Sequence, residues 1–289
     1  MHLFKYLQQR FPVGYRYYCR IRYPDPWGTF SNLDIYLKII WRRLLHRCHV
    51  GHWNSEMKKM QSIKNSHTGE RCFIVGTGAS LTYDDLDKIK DEYSFSVNSI
   101  FLTYQKTSWR PNCYGIVDYL GYKEDISKYS NKDFNDYAKE FVFLHSKIKI
   151  IGKRDKLISI LVNNANHQKY RMKKKLFKQE KELSICFYDC FTVTNMMIAL
   201  AIYMGFKKIY LIGVDCDYSG EKMHIEETLA DQIRKNDTSH LKPREDLMFY
   251  GYELMKKVAE EENCSIYNTT RGGKLEVFPK INLEEVIEG

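Results

Sequence analysis

No stretch of the 289-residue chain approaches the ~18 uncharged apolar residues of a membrane-crossing helix, so no conventional transmembrane segment is expected. Glycine and proline are scarce, at 16 and 6 residues, while hydrophobic residues make up 44%. That balance excludes a collagen-like, low-complexity or disordered chain and predicts a packed core. The eight cysteines contain no CxxC pair, which predicts reduced, mostly buried thiols in a cytoplasmic protein rather than a disulfide framework. No signal peptide is expected either, because Lys5, Arg10 and Arg16 interrupt the first apolar patches. The first quarter is also poor in acids. Residues 1–70 carry 12 Lys/Arg against four Asp/Glu, whereas the remaining 219 carry 33 against 32. Almost all of the net charge of +9 therefore lies at the N-terminal end.

That basic quarter is rich in aromatics. Within 33–48, Leu33, Tyr36, Leu37, Ile40, Trp41, Leu44 and Cys48 recur at helical spacing, with Lys38, Arg42, Arg43 and Arg47 on other faces. A basic amphipathic helix bearing Trp and Tyr suits the interface of an anionic membrane, so residues 1–53 are read as a membrane-associating region. The alternative is packing on the main domain or on a second copy in a homo-oligomer; nucleic acid is not the expected partner. Residues 54–69 read as a polar linker, which divides the chain into 1–69 and 70–289. The expected location is cytoplasmic, peripheral at the inner face of the cell membrane.

From residue 70, short apolar runs alternate with helical segments. Strands are expected at 72–75, 94–98, 113–118, 140–144, 184–188, 208–215 and 264–268, with the clearest helices at 192–204 and 245–262. The alternation predicts an α/β fold: one mostly parallel sheet covered by helices on both faces. The polar segment 219–246 is long enough to be a lid.

Residues with chemical potential fall at the strand ends. Gly76-Thr77-Gly78-Ala79-Ser80 follows the first strand, where glycines let backbone N–H groups approach a phosphate and Ser80 adds a hydroxyl. Leu81 stands where a dinucleotide fingerprint has its third glycine, and no GK[ST] follows, so neither an ordinary NAD site nor a P-loop is expected. Later strands end in Asn98-Ser99, Asp118-Tyr119 and Gly213-Val214-Asp215, the last continuing to Asp217. Two carboxylates so spaced suit a divalent cation, although no metal is the preferred reading. His224 and His240, both in the lid segment, are candidate bases.

IVGTGASL after the first strand, Asn98-Ser99 after the second, TVTNMMIALAIYMGFKKIYLIGVDCDYSG and the tail IYNTTRGGKLEVFPKINLEEV together resemble one group. It comprises the bacterial family-42 sialyltransferases of the Campylobacter type, the motility-associated-factor glycosyltransferases and the 6-hydroxymethylpterin diphosphokinase MptE-like proteins. The resemblance covers roughly 70–289 and implies a Rossmann-like sheet with a lid and sugar transfer from a CMP-activated donor without metal or other cofactor. Gly76, Thr77, Gly78 and Ser80 would hold the donor nucleotide, with Asn98, Asp118 and Thr192 beside it. Gly213 and Asp215 would lie at the nucleotide and acceptor end, Asp215 as a catalytic residue beside His240, which, with His224 as the alternative, would be the base. The acceptor would be a glycan or a lipid-linked sugar. Thr77 replaces the Asn of the usual GNG loop, and Val193 departs from the usual Thr-Ser-Gly. The alternative activity is a pterin-type diphosphotransfer using ATP.

Overall fold

The computed structural model describes residues 33–117, 136–146, 148, 155–163, 166, 179–219, 222–226 and 245–289. Seven strands form one parallel sheet: β1 (Arg71–Val75), β2 (Ser94–Val97), β3 (Cys113–Ile116), β4 (Phe141–His145), β5 (Leu157–Ile160), β8 (Lys208–Ile212) and β9 (Ser265–Asn268). Their order is β5-β4-β3-β2-β1-β8-β9, and every neighbouring pair is parallel. The order runs outward one way from β1 to β5, then resumes on the other side of β1 with β8. That reversal makes β1/β8 the switch point of a Rossmann-like sheet.

Both faces of the sheet are covered, which is why its strands read as continuous apolar runs. Cys72 and Ile74 of β1 enter one core with Phe95, Cys113 and Phe143, whereas Phe73 and Val75 enter the other with Tyr114, Val142 and Ile212. The first core is roofed by α4 (Val193–Met204) and α5 (Glu245–Glu261). Helix α4 is apolar almost all round, as a buried helix must be. Thr192 caps its start by accepting from the Asn195 amide at 3.0 Å, and Gly205 at φ +97° stops it. The second core is covered by α3 (Tyr83–Lys88) and α6 (Leu283–Glu288).

The N-terminal helices also pack on this body. Residues 54–69, expected as a linker, hold α2 (Ser55–Ser62), whose Met57 and Met60 are buried. Its polar residues close the free edge of the sheet: Glu56 accepts from the Ser159 amide at 2.7 Å, and Lys59 donates to the Leu157 carbonyl at 3.0 Å. An open edge strand is a template for unwanted pairing, and charged side chains blunt it. Helix α1 (Leu33–Arg47) buries Ile35, Ile39, Arg42 and Leu45. The two isoleucines pack on Leu161, Ile185 and Cys186, beside the short parallel pair β6 (Val162–Asn163) and β7 (Phe187–Tyr188). Burial lowers the Arg42 pKa, while its guanidinium donates to the Ser184 carbonyl at 3.2 Å. The run at 184–188, expected as a strand, contributes only its last two residues to β7. The sheet gains β5 instead, a strand the sequence reading omitted. Of the described cysteines, only Cys48 is exposed and all are free thiols.

Candidate functional site

The carboxyl ends of β1, β8 and β9 meet at the switch point, and their loops are tied together rather than merely adjacent. Gly76 donates to Ile212 O and Gly78 to Gly213 O, each at 2.8 Å. The fit leaves no room for side chains. A Cβ on Gly76 would come within 2.3 Å of Gly213 O, and one on Gly78 within 2.6 Å of the Asp215 carboxyl group. The two glycines are therefore required first by contact between the β1 and β8 loops. Gly213, at φ +64°, faces Leu81, which lies 2.9 Å from where a Cβ would stand. Leu81 fills that space, which accounts for a leucine where a dinucleotide fold carries its third glycine.

Asp215 is the knot. Its carboxylate accepts the Ser80 amide at 2.9 Å and a short hydrogen bond from the Ser80 hydroxyl. Its own carbonyl accepts from the Lys274 amide at 2.7 Å. Asp217 is equally engaged: Lys274 Nζ at 2.8 Å and the Ser219 hydroxyl and amide hold it well below the usual carboxylate range. Among the described residues, no group of three or more His, Cys, Asp or Glu is arranged to hold a metal.

The loop after β9, residues 269–274, completes this edge. Thr270 Oγ1 accepts from the Val214 amide at 3.1 Å. Arg271 reaches over the glycine loop, donating to Ser80 O at 3.1 Å and forming a two-pronged ion pair with Asp85. The Asp85 side chain is 2% exposed and also caps α3 through Thr82. Burial opposes its charge, but the Arg271 and Thr82 hydrogen bonds outweigh burial, and its pKa lies below the ordinary value. Arg271, Thr270 and Lys274 were missed as site residues. The signal was the basic, glycine-rich run TTRGGK directly after a strand.

Other expected residues fall around the same edge. Asn98 opens a 3-10 helix (Asn98–Gln105) at φ +50°, and its carbonyl accepts from the Tyr114 hydroxyl. Cys216 at φ +50° and Phe191 at φ +68° also hold left-handed backbone here. Such conformations cost energy and concentrate where loops are held for function. Thr192 caps α4 and touches Tyr252 of α5, which also touches Cys216. His224 stands on a segment bridged antiparallel to Gly78, with Ile225 donating to Thr77 O at 2.9 Å. Glu226 anchors that segment through Lys106 at 2.8 Å and the Tyr83 hydroxyl. Asp118, His240 and most of the expected lid lie outside the described residues.

The arrangement leaves few loop amides for a ligand. Those of Gly76, Gly78, Ser80 and Leu81 are committed, whereas the Thr77 and Ala79 amides take no partner among the described residues. Thr77, at the turn between the two glycines, is thus the loop residue with an amide and a hydroxyl to offer an anion.

The family profile of the 6-hydroxymethylpterin diphosphokinase MptE-like proteins matches residues 49–221, which include the loops after β1, β2 and β8. The chain belongs to that family. Comparison with curated proteins finds no match. Among solved structures, the chain is similar to the MAf glycosyltransferase of Magnetospirillum magneticum AMB-1, at 15% identity and a TM-score of 0.46 over 78% of this chain. It spans 38% of that longer protein. It is also similar to the monofunctional alpha-2,3-sialyltransferase Cst-I of Campylobacter jejuni, at 19% identity and a TM-score of 0.41 over 73% of this chain and 80% of that one. A third neighbour is a variant of the sialyltransferase Cst-II in complex with CMP, at 14% identity and a TM-score of 0.37 over 69% of this chain and 80% of that one. The family match leaves out the 269–274 loop and both the Arg271 clamp and His240.

Proposed function

We propose that the protein is a glycosyltransferase that takes a sugar from a CMP-activated donor, of the nonulosonic acid type, and passes it to a glycan or lipid-linked hydroxyl. The observation that carries this reading is the meeting of the β1 and β8 loops at the switch point, the position where open α/β sheets bind nucleotides. The order of motifs from IVGTGASL to GVDCDYSG supports the glycosyl-transfer chemistry. Thr77 offers its amide and hydroxyl to the donor phosphate, with Asn98 and Thr192 nearby along the edge. A histidine removes the acceptor proton as the acceptor oxygen bonds to the anomeric carbon. The bond from that carbon to phosphate breaks, and CMP leaves with the electron pair.

His240 and His224 are the two candidates for that base. The bridge between Gly78 and the His224 backbone favours His224, because it fixes this residue beside the nucleotide loop. The second reading is ATP-dependent diphosphotransfer, which the family description favours. It would call on Asp215 and Asp217 to hold Mg²⁺. Both carboxylates are already engaged by Ser80 and Lys274, an arrangement that suits metal-independent transfer better.

Donor hydrolysis measured across CMP-, UDP- and GDP-sugars and ATP, with and without EDTA, separates these readings. Turnover of a CMP-sugar that survives EDTA is expected. Turnover of ATP alone, lost in EDTA, would overturn the reading. Replacing the true base by alanine lowers turnover by about 10²–10⁴ while donor affinity holds.

A further inference from the structure

Helix α1 turns its packing face and its more apolar face in different directions. Ile35, Ile39, Arg42 and Leu45 are buried against the domain. Leu37, Ile40, Trp41 and Leu44, spaced i, i+3, i+4 and i+7, are 58%, 54%, 57% and 47% exposed. Trp53, in the turn that follows, is 73% exposed. Single exposed hydrophobics are ordinary, but four on one stripe of a helix, with Trp53 exposed in the next turn, call for a covering partner.

We propose that this stripe docks the protein on the headgroup region of a bilayer containing anionic phospholipid. Charge selects that occupant. Residues 33–64 carry seven Lys/Arg against two Asp/Glu. Arg42, Lys59, Arg43 and Lys64 are engaged by Ser184 O, Leu157 O, Glu180 and Glu182, and Glu56 by the Ser159 amide, whereas Lys38, Arg47 and Lys58 are exposed. The directly preceding residues 1–32 add five Lys/Arg, one acid and nine aromatics. A second copy docked stripe to stripe would bring two basic rims together, whereas an anionic surface is attracted by them. Tryptophan favours the boundary between headgroup and acyl chain, where its ring is apolar and its N–H stays wet.

Helix α1 rests beside β6, which begins two residues after β5 ends. This inference does not depend on which group the enzyme transfers.

The test uses the full chain and flotation with vesicles of phosphatidylglycerol and phosphatidylcholine in a roughly 3:7 ratio, against phosphatidylcholine alone. The parent protein should float with the anionic vesicles and lose most binding on the neutral ones. The double variant Trp41→Ser/Leu44→Ser should bind about tenfold more weakly, with an unchanged melting temperature and an unchanged thermal shift on CMP. Three results would overturn the proposal. They are equal vesicle binding by parent and variant, no binding by the parent, and a parental dimer in light scattering that the variant abolishes without any change in vesicle binding.

Discussion

The carboxyl edge of the sheet and the outer face of α1 invert what their residue types suggest. At the edge, Ser80, Asp215, Asp217 and Asp85 have the look of groups waiting for a ligand, yet each is turned onto a partner within the chain. On α1, Leu37, Ile40, Trp41 and Leu44 have the look of core, yet they face outward. Polar groups hold the first region together, and apolar groups leave the second open. The comparison teaches that side-chain chemistry alone does not say which direction a residue serves. A carboxylate between two loops can be a fastener, and a helical apolar stripe can be a docking face.

Substitutions sharpen this contrast in order of effect. Gly76→Ala places a methyl against Gly213 O, a backbone atom that cannot move alone, and should cost about 2–3 kcal/mol of stability by denaturant titration. A variant as stable as the parent would mean that the two loops are not locked. Asp215→Ala strands the Ser80 amide and hydroxyl. Because Asp215 is only partly buried, the expected loss is about 1–2 kcal/mol, with greater protease sensitivity near residue 80.

Arg271→Ala should cost about 1 kcal/mol at neutral pH, discounted because the arginine side chain is half exposed. Its clearer signature is in acid. The Asp85 pKa is depressed in the folded protein, so its contribution is fully present above the unfolded carboxylate value and is lost as pH falls through the native one. Without Arg271 that native value rises, and the acid-unfolding midpoint should move to higher pH. An unmoved midpoint would show that the Arg271–Asp85 pair does not hold the loop. Smallest of all, Trp41→Ala should change stability by less than about 0.5 kcal/mol, because its side chain packs on little within the fold. A large loss would assign the stripe to the core after all.

Strands β1, β2, β3, β4 and β8 were legible because each is a short run buried on both faces, and α4 because its cap and its glycine stop are local signals. Strand β5 was not. Four residues long, it lies at the sheet edge, and its outer side is completed by Glu56, 103 residues away in sequence. The helical period of α1 was legible, but which face packs depends on Leu161, Ile185 and Cys186, and no local pattern encodes that pairing. The candidate site divides in the same way. Gly76, Gly78, Gly213 and Asp215 could be found because glycines and an acid at the ends of apolar strands are conspicuous. Their mutual contacts, and the Arg271 clamp from a loop nearly 200 residues further on, arise only when the sheet brings β1, β8 and β9 together.

Whether this edge binds a CMP-type nucleotide without metal is the claim on which the functional reading rests. Calorimetric titration of the full chain in EDTA, with CMP in one series and ATP in another, tests it directly. The account predicts saturable one-to-one binding of CMP in EDTA, weakened by a change at Thr77, and little heat from ATP. Binding of ATP only when Mg²⁺ is supplied, with none of CMP under either condition, would contradict it.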